Sequence, residues 1–420
     1  MALVLRDSPD FIAAFLGAVK VGAIPVPLST LARPDELDRM VQDSGARLVI
    51  TEPTATLLGE GRGPVSAVGT SGNDMCFWQY SSGTTGGPKA VIHLQDRTLA
   101  PAHAHGRYVV GLRSDDRVYS TAKLFFSYGL QSSMVIPLAV GASVVLDPDR
   151  FAPERVWDLI ARERPTVLYA VPGAYAALLA AAEAGTDADV ASLRCCISAG
   201  EALPATVAER WQRRFGLTIL DGMGSTEIGY IAISNTSADV TPGSSGVPVP
   251  GYEARVVGDD GRDVAPGGAG TLWVRGPSTA RGYHERPERT ATTFRDGWVV
   301  TGDRYRVLDG HYVHLGRDDD MLRVGAQWVS PIEVEAVLAA HPAVLEGAVV
   351  GRADRDGLVR PCAYVVARNG SAGLVAELLE LCAQRLPGHK RPRWVELVPE
   401  LPKTSTGKIQ RFRLRERAGS

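Results

Sequence analysis

The chain is short of the features that mark several protein classes. It has only five cysteines in 420 residues (Cys76, Cys195, Cys196, Cys362 and Cys382), and none stands at a metal-ligand spacing. Their odd number and the apolar setting of the Cys195–Cys196 pair predict reduced, buried thiols and a cytoplasmic protein. Charge of one sign is not in excess, since the formal net charge is −2. That balance gives no electrostatic footprint for nucleic acid or an anionic membrane. No long apolar run occurs: the most apolar window, residues 11–28, is interrupted by Lys20, Gly22 and two prolines, so it does not span a membrane. Residues 1–10 mix acidic and basic side chains and do not read as a signal peptide. There is no internal repeat, no Gly-x-Ser-x-Gly nucleophile elbow and no Walker loop. What remains is an ordinary globular composition, 45% hydrophobic and 22% charged, on a chain long enough for two or three domains.

One stretch organises the rest. Residues 80–91 read Tyr-Ser-Ser-Gly-Thr-Thr-Gly-Gly-Pro-Lys-Ala-Val. A glycine-rich loop can turn its backbone N–H groups inward around an anion. Ser82, Thr84 and Thr85 add hydroxyl donors and Lys89 a positive charge, a set that suits a nucleotide triphosphate tail. The composition alone equally fits a Ser/Thr/Gly-rich surface connection.

Around it the chain alternates. A strand over 2–5 precedes a helix opened by Ser8-Pro9-Asp10, with a cap hydroxyl, proline in the first turn and an early acid, stopping at Gly22. A strand over 23–27, a helix over 34–44 and a strand over 47–51 follow, then a Gly/Ser/Pro-rich loop over 53–73. Strands over 117–121, 142–146, 166–170, 194–198 and 217–220 alternate with helices over 130–139, 153–164, 172–184 and 204–215. This βαβ alternation predicts an α/β fold of doubly wound, mainly parallel sheets. Its strands are short apolar runs, as expected when both faces are covered. From 252 to 315 the period changes to two, with Asp259-Asp260-Gly261 as a hairpin turn, predicting a small, more antiparallel β region. A smaller, mobile α+β domain follows: helices over 331–341 and 374–386, strands over 343–350 and 362–366. The expected division is 1–316, a hinge at 317–320, and 321–420.

Residues 80–91 resemble the phosphate loop of the adenylate-forming superfamily of acyl- and aryl-CoA synthetases, adenylation domains and luciferases. Ala90 departs from the usual glycine. Further blocks follow in family order: Ser198–Ala202, Asp221-Gly222-Met223-Gly224-Ser225-Thr226-Glu227, Thr301-Gly302-Asp303 and Pro402–Ile409. The resemblance covers nearly the whole chain and is strongest to benzoate–CoA ligases. Two family segments are short: the residues usually ahead of Leu3 and those between Thr51 and the phosphate loop. The expectation is a compact variant or a mis-assigned start.

By this resemblance, ATP is held by Ser81, Ser82, Gly83, Thr84, Thr85, Gly86, Lys89, Gly200, Glu201, Ala202, Asp221, Gly222, Met223, Thr226, Asp303, Arg317 and Lys408. Glu227 holds Mg²⁺, a hard cation that takes one or two protein carboxylates and leaves the rest of its shell to phosphate and water. Lys408, Thr226 and Glu227 are the expected catalytic residues. Lys408 acts as a flexible point charge where carboxylate and phosphate oxygens meet. Asp303 accepts the ribose hydroxyls, and Asp319 is the hinge about which the C-terminal domain turns between half-reactions. The acid pocket is Phe126, Ser127, Tyr128, Ala199, Gly224, Tyr230 and Ile231. Where benzoate ligases carry a small apolar residue and a His, this chain has Ser127 and Tyr230. The implied activity is ATP-dependent activation of a hydroxy- or amino-substituted benzoate to an aryl-AMP and then a thioester. The thiol acceptor is CoA; a carrier-protein phosphopantetheine and a degenerate nucleotide-binding homologue are the alternatives. The expected protein is a monomer or homodimer.

Overall fold

The computed structural model describes residues 1–52, 63–81, 88–325, 327–368, 373–403 and 409–419. The chain divides into two compact units. One comprises residues 1–255, 273–301 and 310–312; the other comprises 256–272, 302–309 and 313–420.

In the first unit the βαβ alternation becomes a three-stranded and a seven-stranded sheet. Strand Ala2–Val4 lies between Val26–Pro27 and Val49–Thr51, parallel to both. Helix Pro9–Lys20 starts where the sequence says it should. Ser8 Oγ accepts from the Phe11 N–H at 3.2 Å, and Phe11, Ala14, Phe15 and Ala18 bury one face at helical spacing. Strands Ser143–Val145, Arg117–Ser120, Val167–Ala170, Cys195–Ala199 and Ile219–Gly224 follow one another in the larger sheet, each parallel to the next. Under this sheet, helices Pro153–Glu163, Pro172–Glu183 and Ala205–Phe215 enclose a core in which Trp157 and Trp211 stack at 6.0 Å.

Three local expectations are corrected. The phosphate stretch is not all loop: its two ends lie in antiparallel strands, Met75–Ser81 and Lys89–Leu94. Strand Ile219–Gly224 runs on past Leu220, so Asp221–Gly224 lie in a strand rather than in a loop after it. There they pair antiparallel with Ile231–Ser234, which adds a reversed edge to the sheet. The helix expected over 130–139 begins earlier, at Ser127, and its middle, Gln131–Val135, is π-helical. A second π-helix, Ala102–Val109, was not expected.

In the second unit, Ser330 caps helix Pro331–Ala339 by accepting from the Glu333 N–H at 3.3 Å. Strand Val344–Ala353 pairs antiparallel with Val359–Ala367, which runs parallel to Trp394–Leu397. Helix Leu374–Arg385 buries Leu374, Leu378 and Cys382 in this unit's core. The cysteines are free thiols, all buried except the half-buried Cys195. Among the described residues no helix is long and apolar enough to cross a membrane.

Candidate functional site

The hairpin register sets Ser81 opposite Lys89 at the mouth of the phosphate stretch. Ser82, Gly83, Thr84, Thr85 and Gly86 lie outside the described residues. The turn after strand Ile219–Gly224 brings Glu227 to the same mouth. Its Oε1 accepts from Tyr283 Oη at 2.9 Å and from Ser81 Oγ at 3.2 Å, with Lys89 Nζ at 3.6 Å. Lys89 Nζ also donates to Tyr283 Oη at 3.0 Å and lies 4.4 Å from that ring's centre. Tyr283 arrives on the short strand Gly282–Tyr283, paired with Val91.

Burial pushes the Glu227 carboxyl up, but the Lys89 charge, its own backbone N–H and the hydroxyls of Tyr283 and Ser225 more than offset this and hold it below its ordinary value. The result is a preformed anion held against Ser81, Lys89 and Tyr283. Among the described residues no three His, Cys, Asp or Glu side chains gather into a metal cage. One ionised carboxylate beside a phosphate loop fits Mg²⁺, which draws most of its shell from phosphate and water.

One sheet edge further, Asp221 pairs with Ser198 and Gly222 with Ala199, so the two expected nucleotide segments are neighbours at the carboxyl ends of parallel strands. Gly200 has φ +96°, a conformation that favours glycine. Glu201 is exposed, Ala202 and Thr226 half-buried, and Met223 buried. Asp221 is 7% exposed; its Oδ2 accepts from the Leu203 N–H at 3.4 Å and its Oδ1 has no partner. Burial pushes its carboxyl up to about 8, against the lowering bonds from Ser198 and the Leu203 and Gly222 N–H groups. Near neutral pH it is a protonated acid with an unused polar atom.

The expected acid pocket closes around two tyrosines. Tyr128 and Tyr230 have ring centres 6.1 Å apart, and a Cβ on Gly224 would meet Tyr230 O at 2.2 Å, so only glycine fits there. Ala199, Tyr230 and Ile231 are buried, while Phe126 is half-buried against Phe125. Ser127 Oγ donates to Gly229 O at 3.3 Å and Tyr128 Oη to Ile197 O at 3.1 Å. Tyr230 Oη, 3% exposed as a residue, has no partner. The two hydroxyls that set this chain apart therefore differ: one is engaged by backbone and the other is not.

Within the second unit, Asp303 Oδ1 accepts from Arg317 Nη1 at 3.0 Å, with His314 Nε2 at 3.8 Å. Burial raises the Asp303 carboxyl, but His314 and Arg317 bring it below its ordinary value. Asp319 sits in a 3₁₀ turn, Asp318–Asp320, and its carbonyl accepts from Arg415 Nη1 at 3.2 Å. Lys408 lies outside the described residues; Lys403 and Ile409 on either side of that stretch form an antiparallel bridge.

Comparison with known proteins places this assembly. Residues 1–284 match the AMP-binding enzyme family and residues 333–408 its C-terminal domain. The chain belongs to the AMP-binding enzymes. It is 44% identical to a benzoate–CoA ligase of Thauera aromatica, over 97% of this chain and 84% of the relative. It is 42% identical to a 4-hydroxybenzoate–CoA/benzoate–CoA ligase of Rhodopseudomonas palustris, over 99% of this chain and 84% of the relative. The solved anthranilate CoA ligase AuaEII, in complex with anthranoyl-AMP, superposes with TM-score 0.93 at 40% identity, covering 100% of this chain and 87% of that one.

Sequence reasoning about this AMP-binding enzyme missed Tyr283, 56 residues beyond its bond partner Glu227. It also missed two fully buried residues next to the acid pocket, Tyr169 on strand Val167–Ala170 and His105 on the first π-helix. No motif surrounds any of the three; a Gly-Tyr pair in a period-two region was the only local signal for Tyr283.

Proposed function

We propose that this AMP-binding enzyme activates an aromatic carboxylic acid with ATP and passes the acyl group to the thiol of CoA. The observation that carries the reading is the preformed Ser81–Lys89–Tyr283–Glu227 cluster at the phosphate hairpin, in the same unit as the neighbouring Tyr128 and Tyr230 rings and Gly224. The names of its relatives, which act on benzoate, hydroxybenzoate and anthranilate, support the aryl class.

In the first half-reaction a carboxylate oxygen of the acid bonds to the α-phosphorus, and the bond to the bridging oxygen breaks, releasing pyrophosphate. Lys89 and the loop hydroxyls hold the leaving phosphates. Glu227 would hold Mg²⁺, which when bound neutralises phosphate charge. Asp221 offers its unpaired oxygen and acid proton to the base, and Asp303 accepts from the ribose hydroxyls. Lys408 neutralises charge where the two anions meet. In the second half-reaction the thiol attacks the acyl carbon and AMP leaves. The chain needs no nucleophile of its own, because the mixed anhydride is already activated. The proposed hinge at Asp319 carries Lys408 away before this step. The substituted ring, hydroxy or amino, is the finer part of the proposal.

Pyrophosphate release across a panel of benzoates and medium-chain fatty acids tests the class; a fatty acid as best substrate would falsify it. Lys408→Ala tests the two steps. Aryl-AMP formation should fall by about 10²–10³, the scale of losing one key electrostatic group. Thioester formation from supplied aryl-AMP should survive, and equal loss in both steps rules out the hinge.

A further inference from the structure

We propose that Tyr169 and His105, with Tyr230, form a buried hydrogen-bonding chamber that takes a hydroxyl or amino group on the substrate ring. The inference rests on the aryl-acid reading and adds two residues that the family motifs do not contain.

Tyr169 and His105 are 0% exposed and Tyr230 is 3% exposed. Tyr169 Oη, Tyr230 Oη and both ring nitrogens of His105 have no hydrogen-bond partner. The three belong together. His105 meets Tyr230 edge to face at 5.3 Å, Tyr230 lies 6.1 Å from Tyr128, and Tyr128 stands perpendicular to Tyr169 at 6.0 Å. Burial, then the nearby hydroxyls of Tyr169 and Tyr128, push the Tyr230 phenol up. The Tyr169 and Tyr230 hydroxyls are close enough to influence one another.

Buried polar groups in folded proteins are nearly always paired, and two other buried tyrosines of this unit follow that rule. Tyr175 Oη bonds to Leu168 O at 3.1 Å and to Ile197 O at 3.0 Å. Tyr119 Oη bonds to Asp147 at 3.2 Å. Four unused atoms therefore gather on three touching or neighbouring rings. They lie against the pocket that would hold the ring.

The backbone departs from the ordinary at the same place. His105 sits in π-helix Ala102–Val109, which packs against strand Ile231–Ser234, and the helix that begins with Ser127 and Tyr128 turns π-helical from Gln131. π-Helical turns are rare and recur at functional sites.

The chemistry of the chamber selects its ligand. Burial pushes the His105 ring down to about 3, so it is neutral, with one nitrogen donating and the other accepting. Both phenols are neutral and can donate or accept. A neutral donor–acceptor group fits; a second carboxylate, arriving without a cation to meet it, does not. Tyr169 and Tyr230 would touch the substituent. His105 is a positioning residue that acts through the Tyr230 ring.

The test is kcat/KM for benzoate, the hydroxybenzoates and the aminobenzoates, read by pyrophosphate release, in wild type, Tyr169→Phe, His105→Leu and His105→Asn. In wild type a hydroxy- or aminobenzoate should exceed benzoate. Tyr169→Phe should cut that ratio about tenfold, mainly through KM for the acid, because a site built to bond a substituent loses its advantage when a partner is removed. His105→Leu should cut it similarly, and His105→Asn should restore part of it. If His105→Leu does not fold, Tyr169→Phe decides alone. An unchanged ratio in Tyr169→Phe, with benzoates still turned over, overturns the chamber and leaves the aryl reading standing. Pyrophosphate release with no benzoate at all removes both.

Discussion

Asp116 and Asp221 are buried aspartates on one sheet, at opposite ends of its parallel strands. Asp116 precedes strand Arg117–Ser120 at the amino end and is 2% exposed. Its Oδ1 accepts from Thr166 Oγ1 at 2.7 Å and Arg194 Nε at 2.8 Å; its Oδ2 accepts from Arg194 Nη2 at 2.6 Å and the Arg113 N–H at 2.8 Å. Burial raises this carboxyl, but the bonds from Arg194, Thr166 and Arg113 win and take it down to about 2. Asp221, at the carboxyl end, has no cation beside it among the described residues; only Ser198 and the Leu203 and Gly222 N–H groups oppose burial, and burial wins, at about 8. The same side chain at similar depth takes opposite states because one end of the sheet supplies its partners from within the chain. The other end leaves room for them. In parallel α/β sheets the carboxyl end is where ligands bind, and Tyr230 and Tyr169 show the same unfilled bonding beside it.

The comparison breaks if the saturated residue is dispensable. Asp116→Asn should cost about 3 kcal/mol, because it leaves Arg194 partly buried without its charge partner. Chemical unfolding measures this. The pH sign is fixed by the lowered carboxyl: wild-type stabilisation is fully present above the ordinary Asp value of 3.8 and is lost as pH falls through about 2. The variant should lack that acid limb. A loss under about 0.5 kcal/mol, the size of an ordinary surface change, would undo the contrast.

Glu227 is saturated like Asp116, yet sits on the ligand side. Glu227→Gln keeps its size and its bond from Tyr283 but removes the charge. Half-maximal activation should need about tenfold more Mg²⁺, with partial rescue at high concentration. Unchanged Mg²⁺ dependence would make Glu227 a structural partner of Lys89 alone.

The unsaturated aspartate predicts a smaller effect of the opposite sign. Between 3.8 and about 8 the native protein keeps the Asp221 proton that the unfolded chain releases. Stability from this residue therefore falls as pH rises through that window. The melting temperature of Asp221→Asn should decline less between pH 5 and pH 8 than that of wild type. Parallel curves would show that Asp221 is ionised in the fold.

The contrast also marks how far the sequence could be read. Helix Pro9–Lys20 was legible from Ser8-Pro9-Asp10, and the parallel strands from short apolar runs between caps and glycines. Strand Ile219–Gly224 was cut short in reading because glycine is a poor strand former. Gly222 is there for a tertiary reason: a Cβ would stand 2.7 Å from Ile231 Cγ2 on the neighbouring strand. Contact with a strand that follows later is invisible to local pattern. The candidate site divides likewise. Ser81, Lys89 and Glu227 stand in motifs, whereas Tyr283, Tyr169 and His105 matter through atoms brought near by folding. Ser127 and Tyr230 were expected to act alike, and their hydroxyls differ in pairing.

That difference yields the smallest effect. Ser127 Oγ already spends its proton on Gly229 O at 3.3 Å, so it has little to offer a substrate. Tyr230 Oη has spent nothing. Removing a hydroxyl that is already satisfied by backbone should change the preference for substituted over plain benzoate by less than about threefold. Removing an uncommitted one should change it about tenfold, since the substituent then loses its partner in a dry site. Ser127→Ala and Tyr230→Phe, compared by kcat/KM on benzoate and its hydroxy and amino derivatives, separate the two directly. Equal effects would mean that pairing in the free protein does not foretell which hydroxyl reads the ring. A larger effect from Ser127→Ala would mean that the bond to Gly229 is given up on binding, and the contrast between filled and unfilled groups would fail at the residue where it matters most for substrate choice.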